Sequence, residues 1–556
     1  MQKTFLLASI LLTAPVTASF PLDTSGQILY LVHRGSASVA LERYLEQASK
    51  SGQHDYALLQ EIGLAILEEG ETSGEVETEL MCLLGAGVSL SPRLYPILER
   101  GLEYDDPRIQ LIALNFLSRI EDDETDTLLL KALSSPFLLT RLEALYQLSI
   151  KRHPSVLEHL QSLFIKIPEP IRPLFAQIVA NLDSTSANQM MRQLLSDHDI
   201  LTRCEAISAI AKKQRDDFLP QIRALATQTQ VSQQECVAFS LGILKDRSSL
   251  TLLQQMVQSK QSNVALASAF SLYQLGDSSY LPMIYHAARQ HDLLAIALLA
   301  EIPLPETISL LAHLCESTVQ DVRLGAALAL LDMRDKRCLP AIKEILLSEK
   351  DATGYIMSQT PGRLIPIWRT VFSAPCKEKA YPGIMQQSAE LRHQVLVACV
   401  ELPEEDFLAL AKSLFQAQVK PLIPVLVELL TNHHSEASLA LLKEQCRQHP
   451  SDFVKASCLL ALYRAGEEGP YEQQLIEWVK KRQQTLLIRF APPAVTQRAS
   501  QHALTPEEES ALLISAFESL ASAQNEAGIE ALLHALAYGN VKNRYALAGL
   551  LIRTAE

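Results

Sequence analysis

The sequence predicts an all-α protein, a right-handed α-solenoid (α-α superhelix) of stacked helical hairpins, and three observations carry that prediction. Gln110, Arg141, Arg172, Arg203, Gln234 and Ala265 stand 31 residues apart, each followed by small or aliphatic residues three, four, seven and eight positions on. That spacing is one face of a helix. Val237-Ala238-Phe239-Ser240-Leu241 matches Ser268-Ala269-Phe270-Ser271-Leu272 at the same shift of 31. The composition, 48% hydrophobic but only 6% aromatic, suits helices at close range and not a β-sandwich. A helical unit this short cannot bury its apolar face alone, so it stacks on its neighbours.

In order along the chain, residues 1–18 read as a secretory signal. Lys3 supplies the charge, Phe5 to Leu12 the apolar stretch, and Val16-Thr17-Ala18 the small-residue site, with cleavage before Ser19. Residues 19–104 carry helical stretches without the clean period and are expected to form an N-terminal cap. The array spans 105–350, with turns at Asp105-Asp106-Pro107, Ser134-Ser135-Pro136, Asp197-His198-Asp199 and Gly276-Asp277. Residues 351–390 read as an irregular insertion, because Gly354, Pro361-Gly362, Pro366, Pro375 and Pro382-Gly383 are too dense for helix. Helical repeats resume over 391–490. Residues 491–556 hold a linker at Ala491-Pro492-Pro493 and a C-terminal helical cap, whose first helix starts at Thr505-Pro506-Glu507-Glu508 with threonine as N-cap and glutamate reaching back.

The run Asp321-Val322-Arg323-Leu324-Gly325-Ala326-Ala327-Leu328-Ala329-Leu330-Leu331, followed by Asp335 and Cys338-Leu339-Pro340-Ala341-Ile342, resembles the HEAT-like (HEAT/armadillo-like) repeat family. The likeness is to the short, roughly thirty-residue form shared with phycobilin-lyase-type proteins. It implies a structural role for Arg141, Arg172, Arg203 and Arg323, in a ladder with acidic residues of the turns. Gln110, Gln234 and Ala265 depart from that pattern.

The net charge is −14, and a surface of that sign repels phosphate backbones, so no nucleic-acid partner is expected. The basic runs Lys212-Lys213-Arg215 and Lys480-Lys481-Arg482 read as solvated helix ends. No later stretch is long and apolar enough for a transmembrane segment in the mature chain. Nine cysteines, an odd number with no C-x-x-C, read as mostly buried thiols, with Cys376 exposed in a loop. Their disulfide status is left open.

Catalytic signatures are scarce. The sequence holds no phosphate-binding G-x-x-x-x-G-K-[ST], no H-E-x-x-H and no G-x-S-x-G. Gly85-Ala86-Gly87 lacks the third glycine of a dinucleotide loop. His433-His434 point apart on a helix, and Glu121 to Asp126 lacks the glycine and terminal glutamate of a calcium loop. No cofactor, metal or catalytic residue is assigned. The expectation is an exported, non-enzymatic protein-binding scaffold of a bacterium, in the periplasm, secreted or at the surface. An envelope assembly or adhesion factor, and an enzyme or enzyme-accessory subunit of the HEAT-like lyase type, are the alternatives. The candidate binding residues are Tyr355, Trp368, Phe372 and Tyr381, because aromatic side chains dominate interface anchors. Folding back onto the array to plug a repeat gap is the equal alternative for them.

Overall fold

Helices begin where the sequence gives their free amides an acceptor. The side chains of Asp55, Asp106, Asp122, Ser184, Asp199 and Asp292 each accept from a backbone N–H in the first turn that follows. At Thr505 the bonds are reciprocal: the Thr505 amide donates to Glu508 Oε2 at 2.8 Å, and the Glu508 amide to Thr505 Oγ1 at 3.3 Å.

Helix ends repeat as faithfully. Arg152, Gln214, Lys245, Gly276 and Arg334 all have positive φ, between 53° and 100°. The next amide then returns to a carbonyl five residues back, as from Asp246 to Leu241 (3.0 Å), Asp277 to Leu272 (2.9 Å) and Asp335 to Leu330 (2.9 Å). These three aspartates accept from the amides of Ser248, Ser279 and Arg337 and open a short 3-10 turn into the next helix. Only one of the five left-handed positions is glycine, so four of these stops carry no glycine signal in the sequence.

The structure, a computed structural model, describes residues 24–120, 122–228, 230–347, 353–358, 362–372, 382–488, 504–522 and 526–555. The signal segment, Cys376, Tyr381 and the Ala491-Pro492-Pro493 linker lie outside the described residues. The elements begin with α1 (Thr24–His33), α2 (Ala37–Ser51), α3 (Tyr56–Glu71), α4 (Val76–Ser89) and α5 (Tyr95–Glu103). The array follows with α6 (Pro107–Leu117), α7 (Asp123–Ala132), α8 (Leu138–Ile150), α9 (Val156–Phe164), α10 (Pro173–Val179) and α11 (Thr185–Leu195). It continues through α12 (Ile200–Lys212), α13 (Leu219–Leu225), α14 (Val231–Ile243), α15 (Leu250–Met256) and α16 (Ser262–Gln274). Then come α17 (Leu281–Arg289), α18 (Leu293–Leu299), α19 (Pro305–Leu314), α20 (Gln320–Asp332) and α21 (Leu339–Leu347). Strands β1 (Thr353–Met357) and β2 (Trp368–Phe372) precede α22 (Pro382–Ala398), α23 (Glu404–Ala417), α24 (Ile423–His433), α25 (Glu436–Gln448), α26 (Asp452–Arg464) and α27 (Tyr471–Lys480). The last are α28 (Pro506–Ser522), α29 (Glu526–Tyr538) and α30 (Arg544–Ala555).

The chain divides into two compact units, one of residues 1–100, 476–491 and 513–556, the other of 101–475 and 492–512. In the larger unit the even-numbered helices form a continuous row. Each of α6 to α20 touches the next even member, and the row continues through α22 and α24 to α26. The odd helices pack beside them, giving stacked two-helix modules. This is the stacked α-helical solenoid that the 31-residue register predicts.

Small residues set the spacing within the row. The Ser271 hydroxyl on α16 donates to the Ala238 carbonyl on α14 at 2.7 Å, and Ala269 is fully buried beside it. Helices α14 and α16 are consequently buried nearly all round.

Except at Ala265, the register position carries a side-chain hydrogen-bond donor, and its acceptor is mostly backbone. Gln110 Nε2 donates to the Tyr104 carbonyl (2.7 Å), Arg203 Nη1 to that of Asp197 (2.6 Å) and Arg323 Nη1 to that of Ser317 (2.8 Å), each six residues upstream. A helix C-terminus leaves such carbonyls unpaired, and an amide serves them as well as a guanidinium. Arg172 reaches the carboxylate of Asp197 in the following turn at 3.5 Å, and Arg323 also bonds Glu344 at 2.9 Å. Arg141 Nε is buried and has no partner among the described residues.

In the smaller unit α30 packs against both α3 and α4. A Cβ on Gly549 would collide with the Gly85 carbonyl, so the two backbones cross with nothing between them. Asn543, buried, accepts from the Leu487 amide at 2.8 Å and donates to the Thr485 carbonyl at 2.7 Å. The final helices therefore do not close a far end of the array on their own. They complete a unit with the first helices, which a linear reading of the repeats does not foresee.

Candidate functional site

The insertion over 351–390 is not wholly irregular, because β1 and β2 pair antiparallel with Tyr355 opposite Thr370 and Met357 opposite Trp368. Asp321, at the start of α20, fixes this hairpin to the row. Its Oδ1 accepts from the Thr370 amide (2.7 Å) and hydroxyl (2.6 Å). On the other side the Tyr355 amide donates to the Ser388 hydroxyl of α22 at 2.7 Å, and that hydroxyl donates back to the Tyr355 carbonyl at 3.2 Å.

Beyond the strands, the described part of the connecting loop runs back along the even row to α12 and α14. The Ser208 hydroxyl donates to the Gly362 carbonyl at 3.1 Å. Gly362 has φ of 69°, and a Cβ there would meet Cys204 Cβ at 2.6 Å and Cys236 Sγ at 2.8 Å. Glycine is thus required both for backbone conformation and for approach. The next residue, Arg363, places its Nε 3.1 Å from Glu235 Oε1, with 9% and 3% of the two side chains exposed. Asn263 Nδ2 donates to the second oxygen of Glu235 at 3.1 Å. An ion pair this dry persists only where geometry and further hydrogen bonds offset its desolvation. The even row thereby holds part of a non-helical loop of its own chain.

Between the hairpin and the row lies a cavity of about 240 Å³. Its walls come from α18, α20, α22 and the segment from Ile365 to Trp368, with Leu293, Leu328, Ile367, Leu391 and Val395 among the apolar faces. Glu301 and Asp332 stand on its lining, and neither carboxylate is in an ion pair or hydrogen bond among the described residues. Surrounding protein and the Glu301 carboxylate both push the Asp332 acid above the ordinary carboxylate range. Both Asp332 and Glu301 are exposed at the cavity's edge, so water screens this push, to which the neighbouring negative charge adds in the same direction.

The four aromatic candidates separate. Tyr355 is 3% exposed, its ring lying under the Arg392 guanidinium at 5.7 Å, so it is spent on seating the hairpin. Trp368 lines the cavity and is partly exposed. Phe372 pairs with Thr353 through its backbone, and its side chain lies outside the described residues, as does all of Tyr381. Sequence reasoning missed Gly362, Arg363, Glu301 and Asp332. Pro361-Gly362 announced a turn, but nothing local announced where that turn would dock.

Several of the described thiols are pushed above the ordinary thiol range. Burial first, with neighbouring charges adding, raises Cys82, Cys338 and Cys399 to about 12 and Cys315 to about 11, and lifts Cys236 and Cys458 well up. Arg215 is engaged by Asp217, Asn188 and the Leu182 carbonyl, and Arg482 lies over Trp478 at 4.7 Å. Among the described residues no helix is long and apolar enough to cross a membrane.

No family model matches the chain, and no curated protein does. Solved structures give fold-level likeness only. The complex of CpcE and CpcF of phycocyanin lyase from Nostoc is 19% identical, covering 37% of this chain and 87% of that one with a TM-score of 0.29. The karyopherin Kap121p bound to the extreme C-terminus of the phosphatase Cdc14p is 12% identical, covering 94% of this chain and 63% of that one with a TM-score of 0.36. An engineered protein is 14% identical, covering 90% of this chain and all of that one with a TM-score of 0.16. The first two are HEAT-repeat solenoids. With superposition this partial, the repeat architecture rests on the register and packing described above.

Proposed function

We propose that this chain is a non-enzymatic protein-binding scaffold whose working surface is the even row of helices beside the hairpin. The observation that carries this reading is the row's grip on Gly362 and Arg363, through a backbone carbonyl, a glycine contact and a buried ion pair. A surface that holds one non-helical peptide by main-chain and side-chain bonds has the chemistry to hold another.

The test is a photoreactive side chain placed at Leu328 in the otherwise intact protein, irradiated in its own cells. Capture of one defined protein supports the reading. Absence of any cross-link there, with cross-linking elsewhere on the row also blank, removes it.

We further propose that the protein is exported by a bacterial cell and works in the periplasm or at the cell surface, on the strength of Lys3, the Phe5 to Leu12 stretch and Ala18-Ser19. Mass spectrometry of protein from its native source would then give an N-terminus at Ser19. Fractionation with the outer membrane would favour an envelope assembly or adhesion role, and recovery in the soluble periplasm a free scaffold.

A further inference from the structure

We infer that the cavity between β2 and helices α18, α20 and α22 receives a lysine or arginine side chain from an extended segment of a partner protein. This rests on the scaffold reading and names the chemistry it selects. The volume of about 240 Å³ lies below the roughly 300–1,000 Å³ of sites for drug-sized ligands, and suits a long side chain. Its aliphatic walls match the methylene stem of a basic residue, which buries its stem and keeps its charge at a polar edge. That edge is present. Glu301 and Asp332 are exposed there and repel one another, and among the described residues no Lys, Arg or His lines the cavity.

Two further observations point the same way. The Trp368 indole lies on the lining, and indole is the best aromatic partner for a cation. The row also already pairs a guanidinium with a carboxylate, where Arg363 meets Glu235. Asp321 belongs to a different job, since its Oδ1 is occupied by Thr370.

The test uses the full mature chain and two fluorescein-labelled nonapeptides, one alternating lysine with leucine and one alternating glutamine with leucine. Fluorescence anisotropy should show the lysine peptide bound at least about tenfold more tightly, with the preference shrinking as salt is raised. The double variant Glu301→Gln/Asp332→Asn should abolish that preference. A control, Glu158→Gln/Glu444→Gln, removes the same charge from exposed sites elsewhere and should retain it. The chain has two tryptophans, so in a Trp478→Phe background the emission reports Trp368 alone and should shift on binding. Circular dichroism and melting confirm that each variant folds.

The inference is overturned if the cavity variant keeps the preference, or if the control loses it equally. It is also overturned if spermidine shifts Trp368 emission while the lysine peptide does not, because the occupant is then a small polyamine. Equal photocapture of one partner by wild type and Glu301→Gln/Asp332→Asn would sink this inference and leave the scaffold reading standing. Capture of nothing by wild type would sink the scaffold reading itself.

Discussion

The Ser208 hydroxyl holds the Gly362 carbonyl at 3.1 Å across 154 residues of sequence. One short contact thus ties the turn of an inserted loop to helices laid down well before it.

Gly362→Val should dislodge this turn, since the new side chain meets Cys204 and Cys236 and the positive φ disfavours it. Overpacking of this kind costs about 1–3 kcal/mol. Cys236 should then react faster with a thiol reagent under native conditions, as read by mass spectrometry after timed labelling. An unchanged labelling rate in a folded variant would show that the turn does not shield the thiol.

Arg363→Ala leaves Glu235 buried with Asn263 as its remaining described partner. Loss of one member of such a pair costs about 3–5 kcal/mol. Replacing both, as Arg363→Met/Glu235→Met, should recover most of it. The denaturant midpoints of the three variants decide the matter.

Lys245 is exposed with φ of 53° at a helix stop where the same position one repeat later is Gly276. Lys245→Gly relieves a left-handed strain that outweighs the added chain entropy, and should stabilise the protein by about 0.5–1 kcal/mol. A melting temperature at or below that of wild type would contradict this.

Asp246 supplies a pH dependence. Burial pushes its acid up, but hydrogen bonds from Arg223 (2.7 and 2.8 Å) and Ser249, and the guanidinium charge, outweigh this and hold it low. A depressed carboxyl contributes stability that is fully present above the unfolded value of about 3.9 and is lost as pH falls through the folded value. Asp246→Asn should therefore be less stable than wild type near neutrality, by about 1–3 kcal/mol for bonds to a charged group. The gap should narrow below about pH 4. Parallel acid titrations followed by circular dichroism test both statements.

The register of the array was legible because each module repeats the same demands. Small residues such as Ala238 and Ala269 allow close helices, and a donor such as Arg203 or Gln110 serves the preceding helix end. The start at Thr505 was legible for a local reason too. The hairpin was not, since its strands depend on Asp321, Ser388 and Gln387, whose bonds to it are unrelated to strand propensity. Aromatic type alone could not say that Tyr355 faces inward and Trp368 lines a cavity. Glu301 and Asp332 carried no local signal, because only the fold brings them to one wall.

The backbone crossing of Gly85 and Gly549 has a consequence for synthesis. Helices α3 and α4 emerge early but lack the surface that covers them until α30 has been made, nearly at the end of the chain. During translation, and during any passage through a membrane, their apolar faces need a chaperone or a transient substitute. A nascent chain stalled before Arg544 should remain protease-sensitive over Tyr56 to Ser89, whatever the repeats between have already achieved.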